Sequence, residues 1–264
     1  MVKTVLTIAG SDPSGGAGIE ADIKVITVHR QYAMSVITAL TAQNTRGVFD
    51  ILETPASFVS AQLDCVLSDI PPDAVKIGMT ANRDIIHVIA KKLREYGTHN
   101  IVLDPLMVST SGRRLLPRAA IATLCDELFP ISTLITPNLP EAGVLTGREL
   151  KNAADYESAA EQLAVEYGCA VLIKGGHAES GADDVLYENG TVNWFHEERL
   201  NVRNTHGTGC TLSSAIASAL ADGLPLQDAV RRAKAYLTGA LAAGLDLGQG
   251  NGPLAHFYPL APNP

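Results

Sequence analysis

The chain has 264 residues, with 20 Lys and Arg against 28 Asp and Glu and a net charge of −8. That balance, without basic blocks, excludes a surface built to neutralise nucleic-acid phosphates. Apolar residues at 46% and charged ones at 18% supply a large core, yet no apolar run approaches the roughly 18 residues of a membrane span. The run Val5 to Ala9 is ended by Gly10-Ser11-Asp12-Pro13, too soon for the core of a secretion signal. Cysteines at 65, 125, 169 and 210 have neither C-x-x-C spacing nor the look of a disulfide framework. The expectation is a soluble cytoplasmic enzyme of one domain, residues 1–264, that binds neither nucleic acid nor membrane.

Short β-rich runs alternate with amphipathic stretches. Strands are predicted at Thr4–Ala9, Ser35–Thr41, Ala74–Ile77, Asn100–Asp104, Thr133–Thr136 and Ala170–Lys174. Helices are predicted at Gly18–Arg30, Pro55–Leu67, Asp84–Tyr96, Pro117–Leu128 and Asp155–Tyr167. The strands are nearly all apolar rather than alternating, as a parallel sheet covered on both faces requires. After Lys174 the pattern changes. Asp184–Glu188 and Thr191–Phe195 flank Asn189-Gly190, a strong hairpin signal. Two Ala-rich helices follow, Cys210–Asp222 and Leu226–Ala243. The reading is an α/β domain with a mostly parallel sheet and an antiparallel addition late in the chain.

Open α/β sheets bind ligands outside the carboxyl ends of their strands, so the residues following each run matter most. Gly15-Gly16-Ala17-Gly18 invites a dinucleotide reading, but six residues separate it from the strand where a tight turn is needed. No acid follows the second strand to hold a ribose. The other readings are a backbone that approaches a small ligand, or a plain turn. Asn204-Thr205-His206-Gly207-Thr208-Gly209-Cys210 precedes a long helix, whose N-terminus is an anion site. A thiol there is expected to have a lowered pKa; the bland alternative is an N-cap by Thr208 over an inert Cys210. A thiol-protease pairing of Cys210 with His206 or His177 lacks a local signature, and His206 and Cys210 alone are too few for a metal.

Asn138-Leu139-Pro140-Glu141 makes a near-ideal helix start, with Asn138 as cap and Glu141 at the third position. Glu141 would then stand beside Asp104, and two hard-oxygen groups suit Mg²⁺. Lys174, before two glycines, can reach a phosphate. The P-loop pattern is absent, so a nucleotide must be held another way. The Gln43 carboxamide pairs well with a ring nitrogen beside an exocyclic amine. Met79 and Val108–Gly112 offer an apolar wall and a flap.

Taken together, residues 9–18 (AGSDPSGGAG), 41–45 (TAQNT), 76–79 (KIGM), 103–105 (LDP), 136–141 (TPNLPE), 174–177 (KGGH) and 205–210 (THGTGC) closely resemble the hydroxymethylpyrimidine/phosphomethylpyrimidine kinases of thiamine biosynthesis. These belong to the ribokinase-like superfamily. The resemblance covers essentially the whole chain. Sugar kinases of that superfamily usually carry Asp where Cys210 stands; cysteine matches the pyrimidine kinases and some pyridoxal-kinase-like relatives. It implies a ribokinase-like three-layer α/β/α sandwich, ATP and Mg²⁺ as cofactors, and two successive phosphorylations of an aminopyrimidine. It further implies Cys210 as base with Gly207, Thr208 and Gly209 around the transferring phosphoryl group. Gln43 would read the pyrimidine, with Gly10, Asp12 and Met79 on the substrate side. Lys174, Thr205 and Asn138 fall to ATP, Asp104 and Glu141 to the metal, and Lys234 is an adenine-pocket candidate. The alternatives are a pyridoxal kinase or a non-catalytic pyrimidine sensor. A homodimer is expected.

Overall fold

The computed structural model describes residues 2–109, 112–176 and 183–260; Thr110 and Ser111 of the expected flap, and His177, lie outside them. Nine strands occur among the described residues: β1 (Thr4–Gly10), β2 (Tyr32–Asn44), β3 (Gly47–Glu53), β4 (Ala74–Ile77), β5 (Ile101–Leu103), β6 (Leu134–Ile135), β7 (Ala170–Ile173), β8 (Asp184–Glu188) and β9 (Thr191–Phe195). They form one sheet in the order β3-β2-β1-β4-β5-β6-β7-β8-β9. Pairing is parallel from β2 across to β7 and antiparallel at β2–β3, β7–β8 and β8–β9.

The apolar strands are explained by two cores. Successive strand residues point to opposite faces: Leu6, Val75, Leu103, Ile135 and Val171 enter one core, and Val5, Ala74, Val102, Leu134 and Leu172 the other. The first core is covered by α2 (Ala56–Leu67), α3 (Arg83–Glu95), α4 (Arg118–Glu127), α5 (Leu139–Thr146) and α6 (Ala153–Tyr167). The second is covered by α1 (Gly18–Val28), α7 (Thr208–Ala221) and α8 (Leu226–Ala242). The three-layer sandwich is therefore present. No helix among the described residues is long and apolar enough to cross a membrane.

The early edge of the sheet departs from expectation. β2 runs on to Asn44 and folds back as β3, paired from Ala39 with Glu53 to Asn44 with Gly47. The apolar residues of β3 do not alternate with polar ones, and Phe49 and Leu52 face outward, 62% and 68% exposed. The period-two signal that marks a half-buried strand is missing there. β1 lies between β2 and β4, so the chain leaves it once in each direction. The crevice at such a reversal, at the strands' carboxyl ends, is where the fold offers a ligand site.

Candidate active site

A cleft of about 1130 Å³ opens at those carboxyl ends, and all thirteen expected site residues line it. Asp12, 1% exposed, accepts hydrogen bonds from Ser14 N (2.9 Å), Ser14 Oγ (2.7 Å), Gly16 N (3.2 Å) and Ala17 N (2.9 Å). It also meets His206 Nε2 at 2.7 Å. Burial pushes its pKa up, but the hydrogen bonds from His206 and Ser14 outweigh that and leave it below the ordinary value. Its carboxylate thus shapes the loop after β1 while lining the cleft on the side expected for substrate.

Gln43, near the end of β2, lies 3.2 Å from the same His206 Nε2 and 3.3 Å from Thr41 Oγ1. Gly10 ends β1 against Met79; a β-carbon on Gly10 would sit 3.0 Å from the Met79 sulfur. A C-terminal strap locks this region. Gln249 N and Gly250 N each donate to Thr45 Oγ1 at 3.2 Å, and His206 N donates to Gly252 O. His206 is the residue that sequence reasoning undervalued. Its position inside the 205–210 segment was the available signal.

The helix that carries Cys210 begins with Gly207 as its cap, at φ 83°, rather than with Thr208. A side chain at Gly207 would strike the Gly16 carbonyl, and one at Gly16 would strike His206. The glycines at 15–18 therefore serve the packing of two loops, which removes the dinucleotide reading. Cys210 corrects the sequence expectation of a lowered pKa. Burial pushes the thiol above its ordinary value; Lys76 and the Gly18 amide pull it down, Asp22 and Asp104 push it up, and the net is a raise. The helix N-terminus does not overcome desolvation here.

Across the cleft floor, Lys174 Nζ donates to Asp104 Oδ1 at 2.7 Å. Burial works against the lysine's charge, but Asp104 and Glu141 more than restore it and its pKa is raised. Glu141 completes a reciprocal cap: its Oε2 accepts from Asn138 N (2.9 Å), while Asn138 Oδ1 accepts from Glu141 N (2.9 Å). Burial pushes Glu141 up to about 7, with Lys174 opposing and Asp104 reinforcing the shift. Cap and cleft roles thus coexist in one residue. Gly209 faces this group, for a β-carbon there would lie 3.0 Å from Asp104 Oδ2 and 3.3 Å from Lys174 Nζ. Lys234, on α8, donates to Asp184 Oδ2 at 2.7 Å. Thr205 lines the same cleft. No cluster of three or more metal-type ligands exists among the described residues.

Helix-terminal amides, a lysine and paired carboxylates converging at a sheet reversal define an α/β small-molecule phosphotransferase of the ribokinase-like class. Residues 12–255 match the phosphomethylpyrimidine kinase family, and the chain belongs to it. It is 48% identical over 262 residues to the hydroxymethylpyrimidine/phosphomethylpyrimidine kinase of Rhizobium meliloti, covering 98% of both chains. It is also 48% identical to the thiamine biosynthesis bifunctional protein ThiED of Geobacter sulfurreducens, covering 96% of this chain but only 52% of that protein. Among solved structures, an ADP complex of Bacillus subtilis pyridoxal kinase superposes with a TM-score of 0.91 at 35% identity, covering 98% of this chain and 99% of that one.

Proposed function

We propose that the chain phosphorylates 4-amino-5-hydroxymethyl-2-methylpyrimidine with ATP, first to the monophosphate and then to the diphosphate, as a thiamine-biosynthesis enzyme. Family membership and the near full-length likeness to the Rhizobium kinase support the substrate class. The observation that carries the chemistry is the convergence of the α7 N-terminus on the Asp104–Lys174 pair.

Phosphoryl transfer asks for positioning and charge neutralisation more than for covalent chemistry. In this reading the amides of Gly207, Thr208, Gly209 and Cys210 hold the transferring group. Lys174 neutralises phosphate oxygens, with Thr205 and Asn138 beside the nucleotide and Lys234 toward its base. Gln43 meets the amine and ring nitrogen of the pyrimidine, between Gly10 and Met79, within a loop shaped by Asp12. Cys210 takes the hydroxymethyl proton as the new O–P bond forms. The buried oxygen pair of Asp104 and Glu141 fits Mg²⁺, which would neutralise phosphate charge when bound. A homodimer is the expected assembly, supported by the outward Leu40, Phe49 and Leu52 at the β3 edge; sedimentation tests it.

The deciding experiment is product mass spectrometry after incubation with Mg-ATP and either hydroxymethylpyrimidine or pyridoxal. A pyrimidine monophosphate that matures into the diphosphate is expected. Phosphate on pyridoxal alone would move the protein to vitamin B6 salvage. Ligand binding without turnover would make it a sensor.

A further inference from the structure

One fully buried ion pair is left unused by this reading. Lys76, in the otherwise apolar β4, meets Asp22 of α1 at 2.7 Å, and neither side chain touches solvent. Asp22 also accepts from Thr7 Oγ1 (2.6 Å) and Ser214 Oγ (2.7 Å). Removing two charges from water is costly, and apolar residues of equal volume would fill the same space without that cost. The placement supplies a reason for keeping the charges.

Gly18 and Asp22 stand four apart on α1, and Cys210 and Ser214 stand four apart on α7, so each pair shares one helix face. The two faces meet in register. One turn beyond Cys210 on that face of α7, Ser214 donates to Asp22 of α1. The Asp22 end of the ion pair therefore lies about 6 Å along the helix from the level of the thiol. The Lys76 Nζ lies against the backbone just past β4, since a β-carbon on Gly78 would come within 2.8 Å of it.

We propose that Lys76 and Asp22 are positioning residues for the proton-accepting step, Lys76 as the countercharge beneath Cys210 and Asp22 as the anchor that holds and limits it. The inference rests on Cys210 as proton acceptor. In that step the hydroxymethyl proton passes to sulfur, the substrate oxygen bonds to the γ-phosphorus, and the bond to the bridging oxygen breaks as ADP leaves. The charges that face Cys210 are Lys76 from β4, Asp22 from α1, Asp104 after β5 and Lys174 after β7. Two cations balance two anions, so removing one member shifts the balance in a defined direction.

The test uses the full-length protein. The rate of Cys210 alkylation by iodoacetamide, mapped by mass spectrometry, is followed against pH beside the pH profile of hydroxymethylpyrimidine phosphorylation. Asp22→Asn should move the alkylation midpoint down by at least one pH unit, and the Asp22→Asn/Lys76→Met double variant should move it above wild type. A packing role alone would move both variants the same way or neither, and that result overturns the inference while leaving Cys210 as base. Opposite thiol shifts with an unmoved kinase profile would instead overturn Cys210 as base, and the proposed role with it. Should a variant fail to fold, the Lys76 ammonium resonance of the unmutated protein must show a titration step that Cys210→Ser abolishes; a missing step overturns the inference.

Discussion

His206 Nε2 lies 2.7 Å from the Asp12 carboxylate and 3.2 Å from the Gln43 amide, so one ring nitrogen joins the loop after β1 to a residue of β2 that lines the cleft. Asp12 is held ionised, so the Nε2 proton points at it and Gln43 best presents its oxygen to that edge. On its other side the Gln43 amide lies 3.3 Å from Thr41 Oγ1, whose proton goes to Ser11 O. His206→Ala should raise KM for the aminopyrimidine about 10- to 100-fold, the worth of a hydrogen bond to a charged group, and leave KM for ATP within about twofold. Equal losses in both constants would place His206 in general folding instead.

In the proposed mechanism Cys210 has a distinct part in each transfer. In the first the nucleophile is an alcohol that must lose a proton; in the second it is a phosphate oxygen already ionised at neutral pH. Cys210→Ala should therefore damage the first single-turnover rate far more than the second. Equal factors on both would end the argument.

A pH consequence follows from the same thiol. Because burial raises the Cys210 pKa, the thiolate fraction is small at neutrality and grows with pH. The first phosphorylation should climb through the alkaline range, and the second should lack that limb. Separate pH profiles of the two steps check this.

Glu141 costs the fold stability at neutral pH. Its acid form is favoured by the fold up to about pH 7, so stability is full below the unfolded value near 4.5 and is lost as pH rises through 7. The shift corresponds to about 3 kcal/mol. Glu141→Gln keeps an oxygen for the helix cap. In EDTA at pH 8 it should melt higher than wild type and lose its advantage at pH 4, while its magnesium-supported turnover falls at least tenfold. Calorimetry at the two pH values measures the first half, and steady-state assays the second.

Gly209 separates folding from catalysis in another way. Alanine in the first turn of α7 gains backbone rigidity worth roughly 0.5–1 kcal/mol, but its methyl group would press on Asp104 Oδ2 and Lys174 Nζ. Gly209→Ala should keep its melting temperature within a few degrees and lose at least tenfold in kcat/KM.

Much of this was legible in the residues. The continuous apolar strands announced two covered faces, and Asn189-Gly190 placed both hairpin strands, β8 and β9, at their observed bounds. β3 was not legible because its side chains at the sheet edge face solvent on an irregular pattern. The charge state of Cys210 was hidden for a different reason. A helix N-terminus is a local signal, whereas Lys76, Asp22 and Asp104 reach the thiol only once three distant segments are folded. The loop-shaping bonds of Asp12 were hidden because a carboxylate at a strand end looks the same in sequence whether it greets a ligand, its own loop or both.

The strap from Gly248 to Pro253 also sets a timetable. The strand bearing Gln43 leaves the ribosome early, but the amide that fastens neighbouring Thr45 is made 204 residues afterwards. His206 likewise waits for the carbonyl of Gly252. The cleft wall is therefore completed only after α8, which covers the second core, has been made.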